Sequence, residues 1–265
     1  MDLQLRGKRA LVTGGSRGIG RQIARALLTE GADVVIAARD AGRLATATAE
    51  LTGLGGRVGA VRIDTGDDAS VRSAVDAARE QLGGIDILVN NAAKPGGSGP
   101  RVPPSQVRDE EFLEAVNIKV LGYLRTARAV VPDMVAQGWG RIINISGLAA
   151  RTSGDFVATA RNIGVSALTK NLADELGRHG INVTVVHPGA TVTERTPQLV
   201  AAAAQNWGVD DRAAADRLSA NTAIGRQVTA AEVADVVAFL ASPRSVAITG
   251  DAVVVGGGSV GAIHY

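Results

Sequence analysis

The sequence has no cysteine. Disulfides, thiolate metal sites and cysteine nucleophiles are therefore excluded. Aromatics are scarce: two Trp, two Tyr and three Phe in 265 residues. Ala, Val, Ile and Leu must then build the core, and such residues suit parallel strands covered by helices on both faces. No apolar stretch reaches the ~20 uninterrupted residues that a membrane helix needs. Residues 1–9 lack an apolar signal core, so a cytoplasmic protein without a membrane partner is expected. Basic runs and aromatic–basic stripes are missing too, and the formal charge is only +2. Nucleic acid is not an expected partner.

What is present is a strict alternation of short apolar runs and helical stretches. Strands are predicted over 10–13, 34–38, 58–63, 85–90, 141–145, 182–187 and 252–255. Helices are predicted over 19–30, up to 51, over 67–82, 110–137 and near 164–178, with Pro132 bending or breaking the longest. This predicts a single α/β domain over 1–265, a doubly wound Rossmann fold whose mostly parallel seven-stranded sheet carries helices on both faces. Ligands of such folds bind along the carboxyl ends of the strands. Two Gly/Pro-rich loops stand out, 94–104 and 256–261. A helical insertion at about 194–222 reads either as a lid over a substrate pocket or as a solvated helix pair.

The strongest motif is Thr13-Gly14-Gly15-Ser16-Arg17-Gly18-Ile19-Gly20. It follows a predicted strand and opens a predicted helix. Gly14, Gly18 and Gly20 let the backbone turn sharply and let a pyrophosphate approach free N–H groups at the helix N-terminus. A bare glycine pattern is weak evidence, but this βαβ context makes it good evidence for a dinucleotide. An enzyme that prefers NAD usually places an acid at the end of the second strand, on the ribose hydroxyls. Here Ala38 and Arg39 stand there. Arg39, with Arg17 inside the loop, suits a 2′-phosphate, so NADP(H) is the expected cofactor. Asp40 lies just past the turn and weakens this only slightly.

Taken together, the sequence resembles the short-chain dehydrogenase/reductase family over nearly its whole length. The resemblance rests on Thr13 to Gly20, on Asp64, and on Asn90-Asn91-Ala92-Ala93. It continues through Gly140-Arg141-Ile142-Ile143-Asn144-Ile145-Ser146, Pro188-Gly189 and Ile248-Thr249-Gly250. It implies that Gly14, Ser16, Arg17, Gly18, Ile19 and Gly20 hold the phosphates. It places Asp64 and Thr65 at the adenine, and Asn91 and Ala92 along the cofactor. Pro188, Gly189, Thr191 and Thr193 would meet the nicotinamide end. It also implies a small-molecule carbonyl or alcohol substrate. A homo-oligomer, tetramer or dimer, is implied as well, packed through residues 110–137 and 156–178. The tail 258–265 would reach toward a neighbouring subunit.

The family usually uses a Tyr-x-x-x-Lys pair, a Ser that holds the oxygen and an Asn that anchors a water chain. This sequence departs at each position. Its tyrosines are Tyr123 and Tyr265, and none of Lys8, Lys94, Lys119 and Lys170 has a tyrosine four residues before it. By resemblance the Lys position holds Asn162, the Asn position holds Lys119 with Asn117 close by, and the Ser position holds Gly147 with Ser146 one residue earlier. The Tyr space falls to Phe156, Ala158, Thr159 or Ala160. Lys119 and Asn162 are thus exchanged across the expected site. Lysines are mostly surface residues. A desolvated Lys119, however, could donate a proton, stabilise negative charge or bind a carboxylate. Asn162 would orient it, and Ser146 would stand in for the missing Ser. His187 reads as structural and His179 as a helix C-terminal residue; Asp155 and Arg161 read as a solvated loop in preference to the alternative, a reach to the pocket mouth. Three readings follow: an NADP(H)-dependent oxidoreductase with a non-standard site, a cofactor-binding protein without turnover, or a lyase or isomerase on the same fold.

Overall fold

Each short apolar run becomes a strand. In the computed structural model, which describes residues 1–94 and 102–260, the chain begins β1 (Arg9–Thr13), α1 (Gly18–Thr29), β2 (Asp33–Ala38), α2 (Ala41–Leu51), β3 (Val58–Arg62), α3 (Asp68–Leu82) and β4 (Ile87–Asn90). It continues α4 (Asp109–Val116), α5 (Gly122–Gln137), β5 (Gly140–Ile145), α6 (Phe156–Leu176) and β6 (Ile181–Pro188). It ends β7 (Thr191–Val192), α7 (Thr196–Trp207), α8 (Asp211–Ser219), β8 (Val228–Thr229), α9 (Ala230–Ala241) and β9 (Ala252–Val255). Tyr265, most of the 94–104 loop and the end of the 258–265 tail lie outside the described residues.

The main sheet has seven strands in the order β3-β2-β1-β4-β5-β6-β9, each paired parallel to its neighbours. Successive residues of a strand face opposite sides. Ala10, Val12, Val34 and Ile36 therefore meet Ile23 and Leu27 of α1 and Val233 and Val237 of α9. Leu11, Val35, Leu88 and Ile142 meet Val71, Val130 and Leu172 of α3, α5 and α6. Both faces are buried, which is why the strands read as unbroken apolar runs. The order in which strands are added reverses between β1 and β4, so a crevice opens beyond their carboxyl ends, where such sheets bind ligands. Among the described residues no helix is long and apolar enough to cross a membrane.

Three local features differ from the expectation. The helix runs straight through Pro132. Pro132 and Arg128, whose carbonyl loses its bond, both lie exposed, where water can take that carbonyl. The distortion sits earlier, in a π turn over Asn117–Leu121 between α4 and α5. Second, α6 starts at Phe156 rather than near 164, because the Asp155 side chain accepts the Ala158 N–H at 2.9 Å and caps it there. Third, the 194–222 insertion forms α7 and α8 and is bracketed by a separate two-stranded sheet, β7 with β8. The two-residue strands are too short to leave a period in the sequence.

Candidate active site

The phosphate loop between β1 and α1 is braced from β4. Thr13 Oγ1 accepts the N–H groups of Asn91 and Ala92 at 3.0 and 3.1 Å. Asn91 Nδ2 donates back to the Thr13 and Gly14 carbonyls at 3.2 and 3.1 Å. A Cβ on Gly20 would collide with the Gly14 oxygen and Asn91 Nδ2, so packing alone already requires glycine there. Gly18 is different. It lies at φ +53°, and a Cβ there would meet nothing nearer than Thr193 Cγ2 at 3.7 Å. Its N–H donates to Glu194 Oε2 at 3.2 Å. A carboxylate of the chain thus rests where the helix N-terminus favours an anion. The cradle fits a pyrophosphate, since the loop supplies both the opening and the free N–H groups.

The cleft beyond β1 and β4 is lined by Gly14, Ser16, Arg17, Gly18, Ile19, Arg39, Asp64, Thr65, Asn91, Ala92 and Thr193 of the expected residues. Ile63, Ile118, Arg43, Glu194 and Arg195 line it too. Arg43 and Glu194 were not expected; Arg43 stands one helical turn past Arg39, which is the signal that could have found it. Asp40 caps α2 by accepting the Arg43 N–H at 3.0 Å and pairs with Arg43 Nε at 3.4 Å. These bonds hold its carboxyl below the usual range. Asp40 is therefore engaged by Arg43 on its own helix. Pro188, Gly189 and Thr191 stand apart from this lining. Gly189 donates to the Val255 carbonyl at 3.0 Å, its backbone being too close to Gly256 for a Cβ, and Thr191 Oγ1 donates to the Gly189 carbonyl at 2.9 Å.

At the carboxyl end of β5 the second cluster forms around Lys119, which is 4% exposed. The π turn aims it inward. Thr65 Oγ1 takes the Ile118 carbonyl at 3.0 Å, and Arg125 Nη1 takes the Asn117 carbonyl at 3.2 Å, so the widened turn leaves no orphan there. Lys119 Nζ donates to the Ser146 carbonyl at 3.0 Å and to Asn162 Oδ1 at 2.8 Å. Asn117 instead points away, its Nδ2 donating to the Gly66 carbonyl at 3.0 Å. An ammonium can only donate, so the Asn162 oxygen must face Lys119 and the Asn162 Nδ2 must face the other way. That nitrogen lies toward Gly147, where a Cβ would stand 3.1 Å from it. Ser146 joins the cluster through its carbonyl; its hydroxyl donates to the Asn162 carbonyl at 3.1 Å. Burial first, then the charge of Arg161, pushes the Lys119 ammonium down to about 7.

The remaining candidates separate cleanly. Tyr123 is fully buried and its hydroxyl donates to the Ile145 carbonyl at 2.9 Å, with burial raising its pKa. Phe156 lies on the surface, stacked on Phe112 at 5.6 Å, and Thr159 Oγ1 donates to the Thr152 carbonyl at 3.0 Å. Ala158 lies one turn before Asn162, on the same side of α6. His187 is buried within β6, and His179 ends the short turn after α6. Arg161 is not the solvated residue expected from sequence. It is half-buried, and its Nη1 crosses to the Lys94 carbonyl at 3.3 Å beyond β4.

Below the cluster a chain of buried polar groups ties four elements together. Thr126 Oγ1 donates to Asn90 Oδ1 at 2.6 Å, Asn90 Nδ2 to Asn144 Oδ1 at 3.0 Å, and Asn144 Nδ2 to Thr169 Oγ1 at 2.9 Å. It fixes α5 against α6 through β4 and β5, and so sets Lys119 against Asn162.

Comparison with known proteins gives the family. The family model described as short chain dehydrogenase matches residues 8–204. A putative ketoacyl reductase of Streptomyces coelicolor is 36% identical over 253 residues, covering 94% of this chain and 95% of that protein. The structure of L-sorbose reductase from Gluconobacter frateurii, complexed with NADPH and L-sorbose, superposes with a TM-score of 0.92 at 30% identity, covering 99% of this chain and 100% of the other. A variant of actinorhodin polyketide ketoreductase with NADPH gives 0.87 at 35% identity, covering 94% and 96%. The chain belongs to the short-chain dehydrogenase family.

Proposed function

We propose that this protein is an NADP(H)-dependent oxidoreductase that interconverts a small carbonyl compound and its alcohol, with Lys119 and Asn162 in place of the family's usual acid system. The phosphate loop, Arg17 and Arg39 would hold NADP(H) in the cleft, and that cofactor would supply or accept the hydride. The relatives' own NADPH complexes and the arginines that line this cleft support that cofactor.

One observation carries the reading. Two fixed acceptors, the Ser146 carbonyl and Asn162 Oδ1, hold two of the Lys119 N–H groups. Both protonation states satisfy them. The third position on Nζ therefore carries either a proton or a lone pair, and it is the only one that changes. A substrate carbonyl oxygen placed there receives the Lys119 proton as its carbon receives hydride, giving the alcohol. Asn162 Nδ2, forced toward Gly147, offers a second donor to the same oxygen and covers the role of the missing Ser. A lysine near 7 is suited to both directions near neutral pH. The α7–α8 insertion would close over the substrate, and the protein would work in the cytoplasm as a homo-oligomer, for which the exposed Leu113, Phe156 and Ile163 provide apolar surface.

The test is NADPH consumption over a panel of ketones, aldehydes and oxo esters. Lys119→Met should lower kcat by about a hundredfold or more while leaving NADPH affinity in place. A wild-type protein that binds NADPH and consumes none across the panel overturns the reading and favours a binding protein without turnover.

A further inference from the structure

Arg161 is a cation in the wrong company. It sits on α6 directly before Asn162 and three residues after Ala158, hence beside that alanine on the helix surface. Its Nε is buried and has no hydrogen-bond partner, and its Nη1 makes one long bond to the Lys94 carbonyl. Among the described residues no carboxylate lies within ion-pair distance of it. Asp155, the nearest acid to act on it, is engaged in capping α6. The stretch 95–101 contains no acid at all. Lys94, whose carbonyl it touches, spends its own ammonium on Glu114 at 2.7 Å. The second nearby cation is Lys119, bonded to neutral acceptors only.

Burying a guanidinium without a counter-ion is costly, and the cost is usually offset by a paired anion. Here the charge of Arg161 reaches Lys119 and adds to the downward push on its ammonium. No described side chain pairs with Arg161, so the site is open to an anion from outside. We propose that the substrate is an oxo acid, whose carboxylate binds Arg161 while its ketone oxygen sits at Lys119 and Asn162. The carboxylate then supplies what the folded chain lacks, and the planar fork of Arg161 orients it for two parallel bonds. Arg161 and Asn162 share one helix, so short substrates such as 2-oxo and 3-oxo acids are the first to test. The placement of the ketone rests on the proposed oxidoreductase reading; the anion site does not.

The experiment compares wild type, Arg161→Gln and Arg161→Lys. The probes are 2-oxobutanoate and acetoacetate, each against its methyl ester, in NADPH-oxidation assays. Wild type should prefer acid over ester by about tenfold or more in kcat/KM, the size expected of a charge-assisted bond. Arg161→Gln should erase that preference mainly through KM, and Arg161→Lys should restore part of it. Equal use of acid and ester by wild type overturns the proposal. Oxamate, which is not reduced, separates this from a failure of the oxidoreductase reading. Calorimetry should show oxamate binding to the NADP-loaded wild type and at least about tenfold weaker binding to Arg161→Gln. If no probe is turned over but oxamate binds through Arg161, the anion site stands and the redox reading falls. If oxamate does not bind wild type, the anion site falls. NADPH affinity and circular dichroism of each variant report that it is folded.

Discussion

A single proton on Lys119 is the variable on which the residue scale turns. Its pKa is lowered to about 7 by burial and by Arg161. Reduction needs the ammonium, so the rate of carbonyl reduction should fall as pH rises through about 7, and alcohol oxidation should rise over the same range. Arg161→Gln removes the nearby positive charge, so the midpoint of both profiles should move upward. A profile with no inflection between pH 6 and 8, roughly the window that sensible shifts allow, would remove Lys119 from the chemistry. The cofactor has its own residue-level test. Arg39→Asp should weaken NADPH far more than NADH, by about tenfold or more, and equal losses in fluorescence titrations would refute the 2′-phosphate role. Much of this was legible in the sequence. The reciprocal Lys119 and Asn162 follow from where the motifs stand. Arg161 was not legible, because nothing in a helix sequence tells a buried cation from a solvated one when its cavity is lined by residues far away in the chain.

Elements set the tolerances within which these residues meet. The buried chain from Thr126 through Asn90 and Asn144 to Thr169 crosses α5, β4, β5 and α6. Asn144→Ala would take from Asn90 Nδ2 its shorter acceptor bond and from Thr169 Oγ1 its donor, leaving each with its remaining buried bond. It should cost about 1–3 kcal/mol of stability, read as a lower urea midpoint. It should also lower kcat, because the helix that carries Lys119 would no longer be fixed against the one that carries Asn162. At the phosphate loop, Glu194 competes with any incoming anion for the Gly18 N–H. Glu194→Gln should therefore tighten NADPH binding by a few fold, about the worth of one dipole–charge contact; weaker binding would mean that Glu194 helps the cofactor instead. Strand and helix existence was readable from the apolar runs. The π turn was not, since a single widened turn keeps the helical period on both sides, and the sequence points to the break at Pro132, where a proline on an exposed face does no harm.

Stability is spread unevenly over the whole molecule. The seven-stranded sheet is buried on both faces, whereas α7 and α8 contribute little more than Ala204 and Ala214 to the buried interior. Regions with few buried apolar contacts open most readily. Amide exchange over 196–219 should therefore be faster than in β1, β4 and β5, and NADPH should slow it, because Thr193 and Glu194 at the base of this insertion line the cofactor cleft. No slowing on NADPH addition would detach the insertion from the site. The fold class was plain from the alternation of runs. The small β7–β8 pair that pins the insertion was invisible, as its strands are shorter than any pattern.

The contact between Gly147 and Asn162 bears on how such a site arises. A Ser restored at 147 would press its Cβ against the Asn162 amide. A Lys restored at 162 would set two ammonium groups together and strip Lys119 of an acceptor. An Asn restored at 119 would leave the Ser146 carbonyl without its buried donor. Each of these single substitutions breaks a contact on which another residue of the site depends, so the three positions are coupled through their geometry.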